Sequence, residues 1–232
     1  MIQLLKIILT AAFGLLFVFS NAQQKEDFSK IFSKDYEKAA RFLEGQKWMD
    51  ELILSYGLKP KEVKAIIFPE LIRYNAIQDK IETFALESLY IQYGKSYADF
   101  SVSEFQIKPS FAERVEIDFI KLFPDSKIVG WHSSSNDTIQ TQASRSNRLT
   151  RIKDPKMMTR YICLFLKVIT AKYPLEQDEE RIKLYSSAYN CGYWKSREEI
   201  RAFQSKKFFH TGLSIASKKY CYAEVAWYFF NR

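Results

Sequence analysis

Apolar residues recur at three- and four-residue spacing along most of this 232-residue chain, and strict alternation is almost absent. That period predicts helices, not strands. Phe28, Ile31, Phe32, Tyr36, Ala39, Phe42 and Leu43 fall on one stripe and predict a helix over 28–45. A second helix is predicted over 46–56, stopped by Gly57, and Pro60 opens a third through Val63, Ile66 and Ile67. Pro69 has no N–H and its ring clashes with the preceding turn, so a kink or restart is expected there, with Glu70 at a helix discontinuity. Helical patterns return over 77–93, ended by Gly94, and over 109–122, opened by Pro109. Further ones cover 155–171, 176–191, 196–203 and 218–231, where Ser196 with Glu199 fits a capping box. Residues 97–104 are the best place for extended or turn structure. Residues 125–151 are polar, rich in Ser, Asn and Thr and without a sustained period, which predicts a long loop.

The first residues carry a different signal. Lys6 supplies a positive start, Ile7 to Phe19 an apolar run of 13 residues, and Ser20-Asn21-Ala22 a small-residue cleavage site. This pattern predicts an export signal, residues 1–22, cleaved after Ala22. The apolar run is short of the about 20 residues a spanning helix needs, and no cysteine follows where a lipid anchor needs one, so no stable membrane insertion is expected after cleavage. The protein is expected to be exported, periplasmic or secreted.

Residues 23–232 are enough for one domain with a sizeable core. Without Lys6 they hold 34 Lys and Arg against 27 Asp and Glu, a net charge of +7. A basic exported chain is drawn to anionic polymers, or simply carries a well-solvated charged surface. Nucleic acid is not expected as a partner, because no recognition motif or dense basic helix is present. His132 and His210 are far apart and outside any HExxH pattern, which argues against a zinc hydrolase. Neither G-x-S-x-G nor a phosphate-cradling glycine loop occurs, and no cofactor or metal is expected. Of Trp48, Trp131, Trp194 and Trp227, only Trp131, in the polar segment, is expected to be available for stacking on a sugar. Cys163 lies in the apolar run YICLFLKVI and reads as a small buried residue.

Four segments follow in order: VKAIIFPELIRYN around Glu70, FQIKPS at 105–110, AYNCG at 188–192, and KKYCYAEVAWYFF at 218–230. Together they resemble the skeleton of the soluble lytic transglycosylases, wall-cleaving enzymes of the lysozyme-like superfamily. The likeness covers roughly residues 61–232. It implies a mainly α, lysozyme-like helical domain over 59–232 with a small extended or turn region next to the cleft, preceded by an N-terminal helical extension over 23–58. It also implies cleavage of peptidoglycan glycan strands between N-acetylmuramic acid and N-acetylglucosamine, with one glutamate as acid and then base and the substrate's N-acetyl group assisting. An inactive or weak relative that binds wall glycan is the alternative.

By that resemblance the acid is Glu70, at the end of an apolar helix, with Glu87 of ALESLYIQYG as rival. Glu87 lies 19 residues before Gln106, nearer the family interval than the 36 separating Glu70 from Gln106. A glycosidic acid acts at neutral pH only where its surroundings favour the protonated form. Gln106 would line the cleft and orient sugar substituents. The family has glycine two or three positions earlier, where Ser103-Glu104 stand here, so Ser103 is expected to narrow the subsite or weaken activity. Tyr189 is implied to reach toward the acid or the acetamido group, and Asn190 to support the cleft, with Gly192 ending the helix. Cys191 and Cys221 would come close enough to pair. Asp99 is the one placed candidate for a second carboxylate, or a turn or cap residue. The 125–151 segment, which has no apolar face to bury, would edge the cleft with Trp131, His132, Arg145, Arg148 and Arg151, or be a solvated connector.

Overall fold

The computed structural model describes residues 26–74, 76–126, 141–211 and 218–232; the export-signal segment 1–22, Trp131 and His132 lie outside them. The fold is mainly α. Among the described residues ten helices run in order: α1 Phe28–Glu44, α2 Lys47–Ser55, α3 Pro60–Arg73, α4 Ala76–Tyr93, α5 Pro109–Leu122, α6 Gln142–Lys153, α7 Pro155–Lys172, α8 Asp178–Cys191, α9 Arg197–Gln204 and α10 Tyr222–Phe230. The antiparallel pair β1 Lys207–Phe209 and β2 Tyr220–Cys221 precedes α10.

Local chemistry accounts for most boundaries. Asp27 caps α1 by accepting from the Lys30 amide, and the stripe Phe28, Phe32, Tyr36, Ala39, Leu43 turns inward. The Ser196–Glu199 capping box forms at the start of α9, with both reciprocal bonds present. α7 is apolar on nearly every side, with Tyr161 to Leu166 all buried, and is sheathed by α2, α5 and α6. Each such large side chain taken out of water contributes about 1.5–3 kcal/mol. On the other side α3, α8 and α10 pack against one another, with Phe68 of α3 stacked on Phe229 at 3.7 Å. Residues of α1 and α2, including Phe28, Phe32, Met49 and Ile53, belong to the same core, so the expected N-terminal extension is built into the domain.

Two expectations are corrected. α3 runs through Pro69 to Arg73 without a break. Pro69 forfeits one backbone bond, but residues 65–72 are all buried, and packing on several sides holds the last turn together. The helix ends at Tyr74, whose N–H bonds to the Glu70 carbonyl at 2.8 Å, so Glu70 sits in the final turn and not at a discontinuity.

The last ten residues of the expected loop 125–151 belong to a helix, α6. Its inward stripe is Ser144, Arg145, Arg148, Leu149 and Ile152, a helical period written largely in polar residues. The arginines are structural. Arg148, 1% exposed, donates to Glu116 Oε2 through Nη2 (2.8 Å) and Nε (3.1 Å) and to the Tyr90 hydroxyl (2.9 Å). Tyr90 in turn donates to Glu113 (2.8 Å), whose other oxygen pairs with Lys95 (2.9 Å). Arg151 bonds to Glu116 and to the Tyr161 hydroxyl, both at 3.1 Å. Arg145 donates to the carbonyls of Ile91 (2.8 Å) and Gln92 (2.9 Å). Helices α4, α5, α6 and α7 are thereby joined through buried polar contacts, and Arg145, Arg148 and Arg151 do not line the cleft that holds Glu70.

Candidate functional site

A cleft of about 370 Å³ opens where the C-terminal ends of α3 and α8 face the segment leading into α5. Its near wall is a tight hairpin. Val102 and Ile107 exchange both backbone bonds (3.0 and 3.2 Å), and the Gln106 N–H closes the turn on the Ser103 carbonyl at 3.0 Å. Ser103 (φ 56°) and Gln106 (φ 54°) are both left-handed. Ser103 thus takes the backbone conformation that glycine adopts freely, at a strain cost of about 1–2 kcal/mol for a residue with a Cβ. The Gln106 amide nitrogen also bonds back to the Ser103 carbonyl (2.8 Å), which fixes the side chain at the cleft wall. Ser103 itself belongs to the turn and is not among the cleft-lining residues.

The hairpin is tied down on two sides. Asp99 accepts from the Ser110 amide (3.0 Å) and hydroxyl (2.8 Å), so it caps the first turn of α5 with both oxygens engaged. It lines the cleft, but as a cap. From the opposite side the Tyr189 hydroxyl donates to the Phe105 carbonyl at 2.6 Å. Tyr189 is packed among Phe111 and Phe165, with ring centroids 5.2 and 5.6 Å away. Burial, and then the charge of Glu70, hold its hydroxyl well above the ordinary tyrosine range, so it stays a donor.

Glu70 is 5% exposed, and its Oε1 accepts from the Asn190 amide at 2.9 Å. Behind it the fully buried Tyr222 of α10 approaches the carboxylate without completing a hydrogen bond of ordinary geometry. Burial first and the Glu70 charge second keep the Tyr222 hydroxyl protonated. Gly192 ends α8 with φ 102°, and a Cβ there would lie 2.7 Å from the Trp194 ring. Only glycine lets the indole lie across the helix end. Trp194, 45% exposed, lines the cleft.

The structure therefore brings Glu70, Gln106, Tyr189 and Asn190 to one cleft from segments up to 120 residues apart. Glu87 is elsewhere: it pairs with Lys153 at 2.6 Å, on the α4–α6 side, and does not line the cleft. Trp131 lies outside the described residues. Cys191 and Cys221 are both free thiols; Cys191 lines the cleft with its thiol pushed up to about 11 by burial, while Cys221 bonds to the Ser205 carbonyl. Trp194, expected in the core, is instead the cleft's exposed aromatic. Arg73 and Lys108 also line it, and no periodicity marked them. Among the described residues no group of three or more His, Cys, Asp and Glu is arranged to hold a metal.

The chemistry available is that of a single enclosed carboxyl, oriented by an amide donor and flanked by protonated phenols, beside a groove with an aromatic face. Comparison with family models, curated proteins and solved structures found no match to this chain.

Proposed function

We propose that this protein is an exported lytic transglycosylase that cleaves peptidoglycan glycan strands at the bond between N-acetylmuramic acid and N-acetylglucosamine. The observation that carries this is Glu70: one buried carboxyl in the cleft floor, held by Asn190, with the other cleft carboxylate, Asp99, fully occupied as a helix cap. A single free carboxyl suits a reaction in which it first protonates the bridging oxygen. The substrate's acetamido oxygen then covers the anomeric carbon. Glu70 next takes the proton of the muramyl 6-hydroxyl as that oxygen closes a 1,6-anhydro ring, which restores the acid without a second carboxylate. Asn190 fixes the carboxyl plane, and the Gln106 wall confines the sugar.

The alternative of an inactive glycan binder drew its support from Ser103-Glu104 in place of glycine. In favour of the active reading, Ser103 takes the left-handed conformation a glycine would take and does not line the cleft. Digestion of purified sacculi, with mass analysis of the soluble products, is the test. Anhydro-muropeptides from the wild type and none from Glu70→Gln, with both proteins folded, are expected. Reducing-end products would make it a hydrolase, and no products with retained sacculus binding would make it a binder. Full activity in Glu70→Gln would remove Glu70 from the chemistry.

A further inference from the structure

The charges that line the cleft do not balance in use. Of its two carboxylates, Asp99 gives both oxygens to Ser110, and Glu70 gives one to Asn190. Its two cations are Arg73, whose charge acts on the buried Tyr222 hydroxyl, and Lys108; among the described residues neither side chain makes a hydrogen bond or ion pair. Arg73 is the last residue of α3, one helical turn beyond Glu70, and Lys108 is the residue before Pro109 on the facing wall; both are exposed. A long cationic side chain on a helix end is ordinarily explained by the helix dipole. That serves for Arg73 but not for Lys108, which stands at the N-terminal end of α5, where the dipole disfavours a cation. Two exposed cations on facing walls of one groove, whose carboxylates are held by neutral donors and not by these cations, offer an anion two points of attachment.

We propose that Arg73 and Lys108 are specificity-determining residues that bind a carboxylate of the glycan substrate, so that the cleft selects acidic strands over neutral ones. The proposal rests on the function given above. The guanidinium offers paired N–H donors that match a carboxylate, while the lysine contributes a movable point charge. In wall glycan the carboxylates are those of the peptide stem or, on a muramyl residue without a stem, of the lactyl ether itself. Binding one of them on the Arg73 side would hold the muramyl residue next to Glu70.

Soluble wall-glycan strands provide the probe, native in one sample and with their carboxylates converted to amides by carbodiimide and ammonia in the other. Binding is read by tryptophan fluorescence on the full chain carrying Glu70→Gln, so the measurement does not depend on turnover. Native strands are expected to bind about tenfold or more tightly than amidated ones, as for the gain of one charge-assisted contact. The advantage should shrink as salt is raised. Adding Arg73→Met and Lys108→Met should abolish the preference while leaving binding to amidated strands and the thermal midpoint unchanged, and Arg73→Lys should restore part of it. Equal binding of native and amidated strands by the parent protein overturns the proposal, as does a preference that survives the double substitution. Failure of the catalytic reading is seen separately, as wild-type protein that yields no cleavage products yet still prefers native strands. Absence of binding to either strand overturns both.

Discussion

Arg148→Met removes the centre of the buried network, and the structure sets the size of the effect. The guanidinium is 1% exposed and contacts Glu116, Tyr90 and Glu113 together, so the substitution leaves Glu116, itself 2% exposed, with only Arg151 and Tyr161 as partners. Removing one partner of a buried ion pair costs about 3–5 kcal/mol, because the remaining charge stays out of water. For a chain of this length about 2–4 °C of melting temperature accompanies each kcal/mol, so a fall of about 6–20 °C is expected. A polar loop arginine would give within about 0.5 kcal/mol of no change. Thermal unfolding followed by far-UV circular dichroism measures the difference. Adding Glu116→Gln to Arg148→Met should cost less than the sum of the single effects, since both changes break the same Arg148–Glu116 bonds. A midpoint shift below about 2 °C for Arg148→Met, or strict additivity in the pair, would refute the assignment of this arginine to the interior.

Tyr189→Phe deletes a buried donor and strands the Phe105 carbonyl, which costs about 1–3 kcal/mol; thermal unfolding should show that loss, and product formation should fall with it because Gln106 shares the same turn. Normal activity in a destabilised protein would confine Tyr189 to a structural role. Ser103→Gly relieves the left-handed strain but gains freedom in the unfolded chain, so a net stabilisation of no more than about 1 kcal/mol is expected, with activity retained; a clear loss of stability would show that the serine side chain holds the turn. Burial pushes the thiols of Cys191 and Cys163 up to about 11 and about 12 and the Tyr36 hydroxyl to about 12. The unfolded chain ionises these groups from about pH 9, so it binds fewer protons than the folded chain above that pH and stability falls as pH rises from about 9 toward 12. Flat urea-unfolding midpoints between pH 8 and 11 would contradict it.

Which parts of the fold were legible depended on how each residue's burial was written. α1, α3, α5, α7 and α8 declare themselves because their inward faces are apolar and their ends carry Asp, Pro or Gly. α6 does not, because Arg145 and Arg148 occupy core positions made tolerable by partners on other elements, among them Glu113, Glu116, the Tyr90 hydroxyl and two carbonyls. No local pattern records partners so distant. Pro69 misled in the opposite sense: its lost backbone bond is a local cost, overruled by the packing around residues 65–72. At the site, Glu70, Gln106, Tyr189 and Asn190 were readable as short motifs, whereas Ser103 looked like an obstruction until its backbone angle was known. Trp194 gave no signal of its own. Its exposure follows from the bare backbone of Gly192, across which the ring lies.

The network and the cleft are connected through named bonds. Glu113 and Glu116, fixed by Arg148, belong to α5, whose first turn is capped by Asp99 from the segment before the hairpin. The hairpin presents the Phe105 carbonyl to Tyr189, and the next residue of α8, Asn190, donates to Glu70. The Glu70 carboxyl is therefore positioned by a path that begins in the buried network around Arg148. Each link is a hydrogen bond within the protein, so in the proposed reaction the carboxyl plane and the Gln106 wall are held by the fold itself. Preset geometry of this kind lowers the reorganisation needed at the moment of proton transfer. It also makes a distant lesson of α6: an arginine with no access to the cleft holds the helix from which the cleft wall is hung.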